Sequence, residues 1–189
     1  MERDRDIQKG FQGMSSPEYL VALDVETTGL DPVGDRIVEI ALLKIKEGTI
    51  VDKLVTLLNP EMRIPPDVSS IHGITDEKIK DAPLFRDIAR KVLDFINGKV
   101  LLVHNADFDI PFLKKELKLC GLELSGIKII DTLAIARAQF CFPNNSLSTI
   151  AKYYKIDTSG SHRAEADAIM TYKIYCKLLE ELQKKNKID

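Results

Sequence analysis

The spacing of three apolar runs constrains this chain more than any other feature. Residues 19–23 form the first run and lead directly into Asp24-Val25-Glu26. Residues 37–45 form the second, after a loop of turn residues from 29 to 35, and residues 50–58 form the third, after the turn Glu47-Gly48. Aliphatic and β-branched residues fill all three, which is strand composition. The gap between the second and third runs is too short for a crossover, so these strands must meander antiparallel.

Downstream the period changes. Residues 59–66 read as a Pro-containing loop, followed by a short helix near 75–80 and a longer one over 83–97. In the longer helix Phe85, Ile88, Ala89, Val92, Leu93 and Ile96 recur at helical spacing, and Gly98 ends it. A fourth strand is predicted over 99–104, with Asn105 placed to cap a helix that runs to about 120. A fifth strand over 127–131 is followed by helices over 132–139, 147–154 and 163–185. Strands four and five each precede a helix, so they should run parallel to strand one. The expected fold is α/β: a mixed five-stranded sheet with helices on both faces, strand one central and strand four beside it.

A chain of 189 residues that is 44% hydrophobic suits one domain, expected over 18–182. Residues 1–17 are charged, then Gly/Ser-rich, without the apolar stretch of a signal peptide, and read as a disordered lead-in. Residues 183–189 read as a fraying Lys-rich C-terminus. The net charge of −2 supplies no basic surface. A nucleic-acid site would therefore be a small groove that takes its positive charge from metal ions. Cys120, Cys141 and Cys176 follow no metal-ligand or disulfide spacing, which suits a reduced, cytoplasmic setting. No apolar run is long enough to span a membrane.

Side chains alternate faces along a strand, so Asp24 and Glu26 point the same way. Like charges held that close resist ionisation unless a cation sits between them. Asp109 lies on the inward line of Phe112 and Leu113, where an acid calls for a partner. Asp167 shares the core-facing line of Ile174 and Leu178. His162, five residues earlier, would diverge from Asp167 by roughly 140° on a helix, so it belongs in the lead-in of Ser159, Gly160 and Ser161. Together these groups suit two divalent ions, Mg²⁺ or Mn²⁺, with His162 as general base. Taken singly, several have plainer uses. Asp24 and Glu26 suit strand-end charges, Asp109 a helix-start charge and His104 a core histidine. Phe140 and Phe142 suit either core or a base-stacking platform. Glu39, Asp52, Asp157 and Glu165 are left outside the site, and Asp131 is read as a possible helix cap.

In order along the chain, Asp24-Val25-Glu26-Thr27-Thr28-Gly29, the His104-Asn105-Ala106-x-Phe108-Asp109 segment and His162-x4-Asp167 resemble the three motifs of the DEDDh exonucleases. Ile71-His72-Gly73-Ile74-Thr75, Ile130-Asp131-Thr132-Leu133-Ala134 and Ser146-Leu147 add a likeness to the proofreading epsilon subunits of bacterial DNA polymerase III and related domains. The resemblance covers about residues 18–180. It implies a ribonuclease H-like fold and two-metal 3′–5′ hydrolysis at a DNA 3′ end, single-stranded or frayed, releasing nucleoside 5′-monophosphates in proofreading or repair. It places the metal ligands at Asp24, Glu26, Asp109 and Asp167 and the base at His162. Thr27, Thr28, Gly29 and Leu30 match positions that contact the terminal nucleotide. Asp67, His72, His104 and Asn105 resemble nearby substrate-side positions. A DNA polymerase catalytic subunit is the implied partner. An RNA exonuclease of the same superfamily, or a polymerase-associated module that binds without cutting, are the alternatives.

Overall fold

The computed structural model describes residues 19–185. The expected lead-in, residues 1–17, and the last residues of the Lys-rich end lie outside the described residues. Strands β1 (Leu20–Thr27), β2 (Ile37–Lys46) and β3 (Thr49–Leu57) form the antiparallel meander that the short turns require. Strands β4 (Val100–Val103) and β5 (Lys128–Asp131) add in parallel, giving the order β3-β2-β1-β4-β5. Seven helices accompany the sheet among the described residues: α1 (Pro66–His72), α2 (Asp76–Ile79), α3 (Phe85–Ile96), α4 (Ala106–Leu119), α5 (Thr132–Gln139), α6 (Leu147–Tyr153) and α7 (Ala164–Lys185). This is the expected mixed five-stranded α/β sheet of the ribonuclease H-like class, with strand one central.

Alternation along β1 divides the core in two. Val21, Leu23 and Val25 pack with Phe95 of α3 and with Phe112 and Leu113 of α4. Ala22 packs on the other face with Ile135 of α5, Ile150 of α6, and Ile174 and Leu178 of α7. Asp24 and Glu26 share the parity of Ala22 and therefore belong to the α7 face. Burying such apolar surface on both faces explains why the first seven residues of β2 are buried without alternation.

Two interruptions of the ladder shape the C-terminal end of β1. Its pairing with β4 covers only Leu20 to Ala22, against Val100 to Leu102. Its register with β2 shifts between Glu26 and Thr27, a bulge of the kind that re-aims side chains beside functional sites.

Two local expectations need correction. Residues 66–72 form the helix α1, not the end of a loop followed by helix only from 75. Pro66 occupies the first turn, where its missing N–H costs nothing, and Gly73 closes the helix in the left-handed region at φ 70°. Asn105 stands at the N-terminus of α4, but its side chain makes no capping bond and its own φ is 85°. Asp131 does the capping instead. Its carboxylate accepts from the N–H groups of Asn105 (3.0 Å) and Ala106 (3.1 Å), and from Leu133 (2.8 Å) at the start of α5. No helix among the described residues is long and apolar enough to cross a membrane.

Candidate active site

β1 delivers Asp24 and Glu26 to one face, and the first turn of α7 delivers Asp167 to the same place. One carboxylate oxygen from each of the three lies within 4.8 Å of the other two. Asp109, 4% exposed, comes from the first turn of α4, and its Oδ1 accepts from the Val25 N–H at 3.2 Å. That bond holds the fourth carboxylate against β1, between the two acids of the strand.

The electrostatics follow from this convergence. Burial pushes Asp24 well above the usual carboxylate range, and the charges of Asp109, Asp167, Glu26 and Glu39 add to it. Glu26 is pushed up to about 8 by burial, then by Asp167, Glu39 and Asp109, with Arg163 acting against them. Asp109 also rises to about 8 through burial, although the Val25 N–H favours its ionised form. Asp167 is raised by burial, partly offset by the His162 N–H. Among the described residues, no lysine or arginine forms an ion pair with any of these four acids. Oδ1 of Asp167 is buried with no hydrogen-bond donor. A set made only of carboxylate oxygens, mutually repelling and without a lysine or arginine partner among the described residues, fits a divalent cation of the Mg²⁺ or Mn²⁺ type.

His162 lies in the turn before α7, outside the helix as its spacing required. It is exposed, adopts the left-handed φ of 65°, and donates its main-chain N–H to Asp167 Oδ2 at 3.2 Å. The histidine and the last acid are thus linked through backbone as well as by sequence.

Thr27 to Leu30 form the rim beside this cluster, and much of their polarity builds the rim itself. Thr27 Oγ1 donates to the Gly29 carbonyl at 2.6 Å. Thr28 is fully buried; its hydroxyl donates to Asp35 Oδ1 at 3.0 Å and accepts from the Arg36 N–H. A Cβ on Gly29 would stand 2.3 Å from Asp35 Oδ2, so only glycine lets the loop close over that carboxylate. Leu30, by contrast, is 84% exposed. Asp67 is exposed on the first turn of α1. His72 is buried at the end of the same helix. Its Nδ1 accepts from the Ile74 N–H at 3.0 Å, which puts the ring proton on Nε2. Nε2 is buried without a hydrogen-bond partner, beside the Thr27 main chain, and burial pushes the ring's pKa down. Asn105 is exposed at the start of α4. His104 has both ring nitrogens engaged by the protein, Nδ1 with Thr132 Oγ1 at 2.8 Å and Nε2 with the Asn145 carbonyl at 3.0 Å. Phe140 and Phe142 stack at 5.6 Å and pack on the α5–α7 core, which favours the core reading for both.

Glu39, expected from the sequence to lie outside the site, stands beside it. It is the direct cross-strand partner of Glu26 and only 2% exposed. Its carboxylate accepts from Arg163 Nε (3.0 Å), Arg163 Nη2 (2.6 Å) and the Ala164 N–H (2.9 Å). The available signal was a lone acid within the otherwise apolar run of residues 37–43.

Comparison with known proteins agrees with this geometry. The exonuclease family typified by RNase T matches residues 21–175. A PolC-type DNA polymerase III of Caldanaerobacter subterraneus is 39% identical over 164 residues, covering 86% of this chain but only 12% of the polymerase. The DNA polymerase III epsilon subunit of Rickettsia felis is 42% identical over 180 residues, covering 87% of this chain and 75% of the subunit. The nuclease domain of 3′hExo, a DEDDh family member bound to rAMP, shares the fold. It superposes with a TM-score of 0.75 at 20% identity, covering 89% of this chain and 95% of that one. Matched along most of its described length, and carrying the acidic cluster on the strand and helix that such a site requires, the chain belongs to the DEDDh 3′–5′ exonuclease family.

Proposed function

We propose that the protein is a metal-dependent 3′–5′ exonuclease that hydrolyses the terminal phosphodiester of single-stranded or frayed DNA and releases nucleoside 5′-monophosphates. The observation that carries this reading is the convergence of Asp24, Glu26 and Asp167 within 4.8 Å, with no lysine or arginine paired to them among the described residues. Asp24, Glu26 and Asp167 would hold one divalent ion, and Asp24 with Asp109 a second, Mg²⁺ or Mn²⁺. When bound, such ions neutralise the carboxylates, polarise the phosphodiester and acidify the attacking water. His162, exposed and tethered to Asp167 through its N–H, takes the proton of that water on its imidazole. Attack by water is a single displacement, so no covalent enzyme intermediate forms. The rim from Thr27 to Leu30 receives the terminal nucleotide, with the exposed Leu30 side chain offered to its base. Asp67, His72 and Asn105 line the substrate side, and His104 braces the strand end behind them.

The likeness to polymerase III epsilon subunits and PolC-type polymerases supports proofreading or repair, with a DNA polymerase catalytic subunit as partner. The free cysteines Cys120, Cys141 and Cys176 suit a cytoplasmic setting. An RNA substrate is the second reading, favoured by the ribonucleotide bound to the 3′hExo nuclease domain. Matched 3′-labelled DNA and RNA strands, incubated with Mn²⁺ or Mg²⁺ and with chelator, decide between them. Metal-dependent release of mononucleotides from DNA is expected, with His162→Ala slower by roughly 10²–10⁴-fold while still binding Mn²⁺. Release from RNA alone would select the second reading, and no release from either strand would sink both.

A further inference from the structure

The carboxylate cluster holds His162 through its main-chain N–H alone, which Asp167 Oδ2 accepts, and that bond does not fix the imidazole. The residue sits in a turn, exposed, with a left-handed backbone that is costly for residues other than glycine. What flanks it is better anchored. Before it, the Ser161 N–H and hydroxyl both donate to the Thr158 carbonyl, at 3.2 and 2.7 Å. After it, Arg163 is gripped through two nitrogens by Glu39, and the next N–H, of Ala164, is taken by the same carboxylate. Glu39 belongs to neither segment. It projects from β2, directly across from Glu26.

Both oxygens of Glu39 are therefore occupied by donors from the start of α7. A helix begins with N–H groups that lack partners, and an acid placed there satisfies one of them and matches the helix dipole. The arginine fork adds two charge-assisted bonds of fixed geometry. A carboxylate so fully engaged has no role as a ligand, although it stands next to one. Its effect is to lock the junction between the turn and α7 to the same sheet that carries Asp24 and Glu26.

We propose that Glu39 is a positioning residue for the catalytic base: acting through Arg163 and Ala164, it fixes the turn from which His162 faces the carboxylate cluster. This rests on His162 being the base, as argued above. The alternative is that the pair stabilises the fold at large and has no local effect.

The test uses Glu39→Gln, Arg163→Ala, Arg163→Lys and the double variant Glu39→Gln/Arg163→Ala. Glutamine keeps an acceptor for the Ala164 N–H but removes the charge. The chain has three histidines, and His72 feels the charges of Glu39 and Arg163, so ring resonances of metal-free protein report His162 with His104 as the internal control. The expected result is a shifted or broadened His162 signal, with that of His104 unmoved. Turnover should fall roughly 10- to 100-fold, because small misplacements of a reacting group have effects of that size. KM for the oligonucleotide and Kd for Mn²⁺ should stay within about threefold, and the double variant should be no worse than the poorer single one. Arg163→Lys should recover part of the loss. An unmoved His162 signal with unchanged turnover in folded Arg163→Ala would overturn the proposal. So would equal perturbation of His162 and His104. The Arg163 side chain is half exposed, so this variant carries the test if Glu39→Gln fails to fold. If the wild-type protein released no nucleotide, the proposed function would fall, while the resonances would still decide whether Glu39 sets the position of His162.

Discussion

Glu116 and Asp109 stand two turns apart on α4 and are almost equally buried, 1% and 4% exposed, yet their surroundings differ completely. Glu116 receives Arg36 through both oxygens, at 2.6 and 2.9 Å, and the arginine also reaches the Pro60 carbonyl. Asp109 receives one backbone N–H, faces other acids, and has its pKa raised to about 8. Glu39 repeats the first arrangement with Arg163, and Asp24 repeats the second. Burial of an acid is therefore not what marks this site. The mark is burial without balance: the paired acids hold loops and helices in place, and the unpaired ones wait for charge from outside the protein.

The contrast breaks most sharply at Asp24. Asp24→Asn should reduce nuclease turnover on the order of 10³-fold or more, since the substituted acid belongs to both proposed ion seats. Its melting temperature in chelator should stay level or rise, because a buried acid that resists ionisation beside other acids has gone. An inactive variant that is also clearly less stable would contradict the division drawn here. Glu116→Ala should behave in the opposite way. Removing one partner of a buried pair leaves Arg36 unbalanced, and urea unfolding should show a loss of about 3 kcal/mol. A loss within ~0.5 kcal/mol would place that pair with ordinary surface bridges.

The gentlest test is pH. Glu26 and Asp109 hold their protons in the folded state up to about 8, far above their ordinary values of 4.5 and 3.8. Between those values the folded state binds more protons than the unfolded chain, so stability must fall as pH rises. This contribution is fully present below pH ~4 and gone above pH ~8. Metal-free protein should melt several degrees higher near pH 5 than near pH 8.5, and Mn²⁺ should restore the difference at the higher pH by binding only the native state. A flat profile in chelator would mean that burial and mutual repulsion raise Glu26 and Asp109 less than their placement implies.

Much of this was legible in the chain because it depends on local rules. Glu47-Gly48 dictated the meander, and the parity of Asp24 and Glu26 put both on one face. The angular separation of His162 from Asp167 kept the histidine out of the helix. What escaped depends on long-range partners. Asp131 takes the capping role at α4 from 26 residues away, displacing Asn105 from it, and no window of sequence shows that approach. Glu39 meets Arg163 across 124 residues, so its lone acid in an apolar strand had no visible reason. The helix over residues 66–72 is hidden for a local reason, since Pro66 suits the end of a Pro-containing loop as well as the first turn of a helix.

The early parting of β1 from β4 has a consequence for how such a site can arise. After Ala22 and Leu102 the two parallel strands share no further rungs, and the amide of Val25 donates to Asp109. A longer ladder would have given that amide a carbonyl on the neighbouring strand, and the carboxylate would have lost its anchor. Sheet growth and ligand placement thus compete for one backbone donor. Any change that zips the two strands further would improve the sheet and close the fork in which the acids meet.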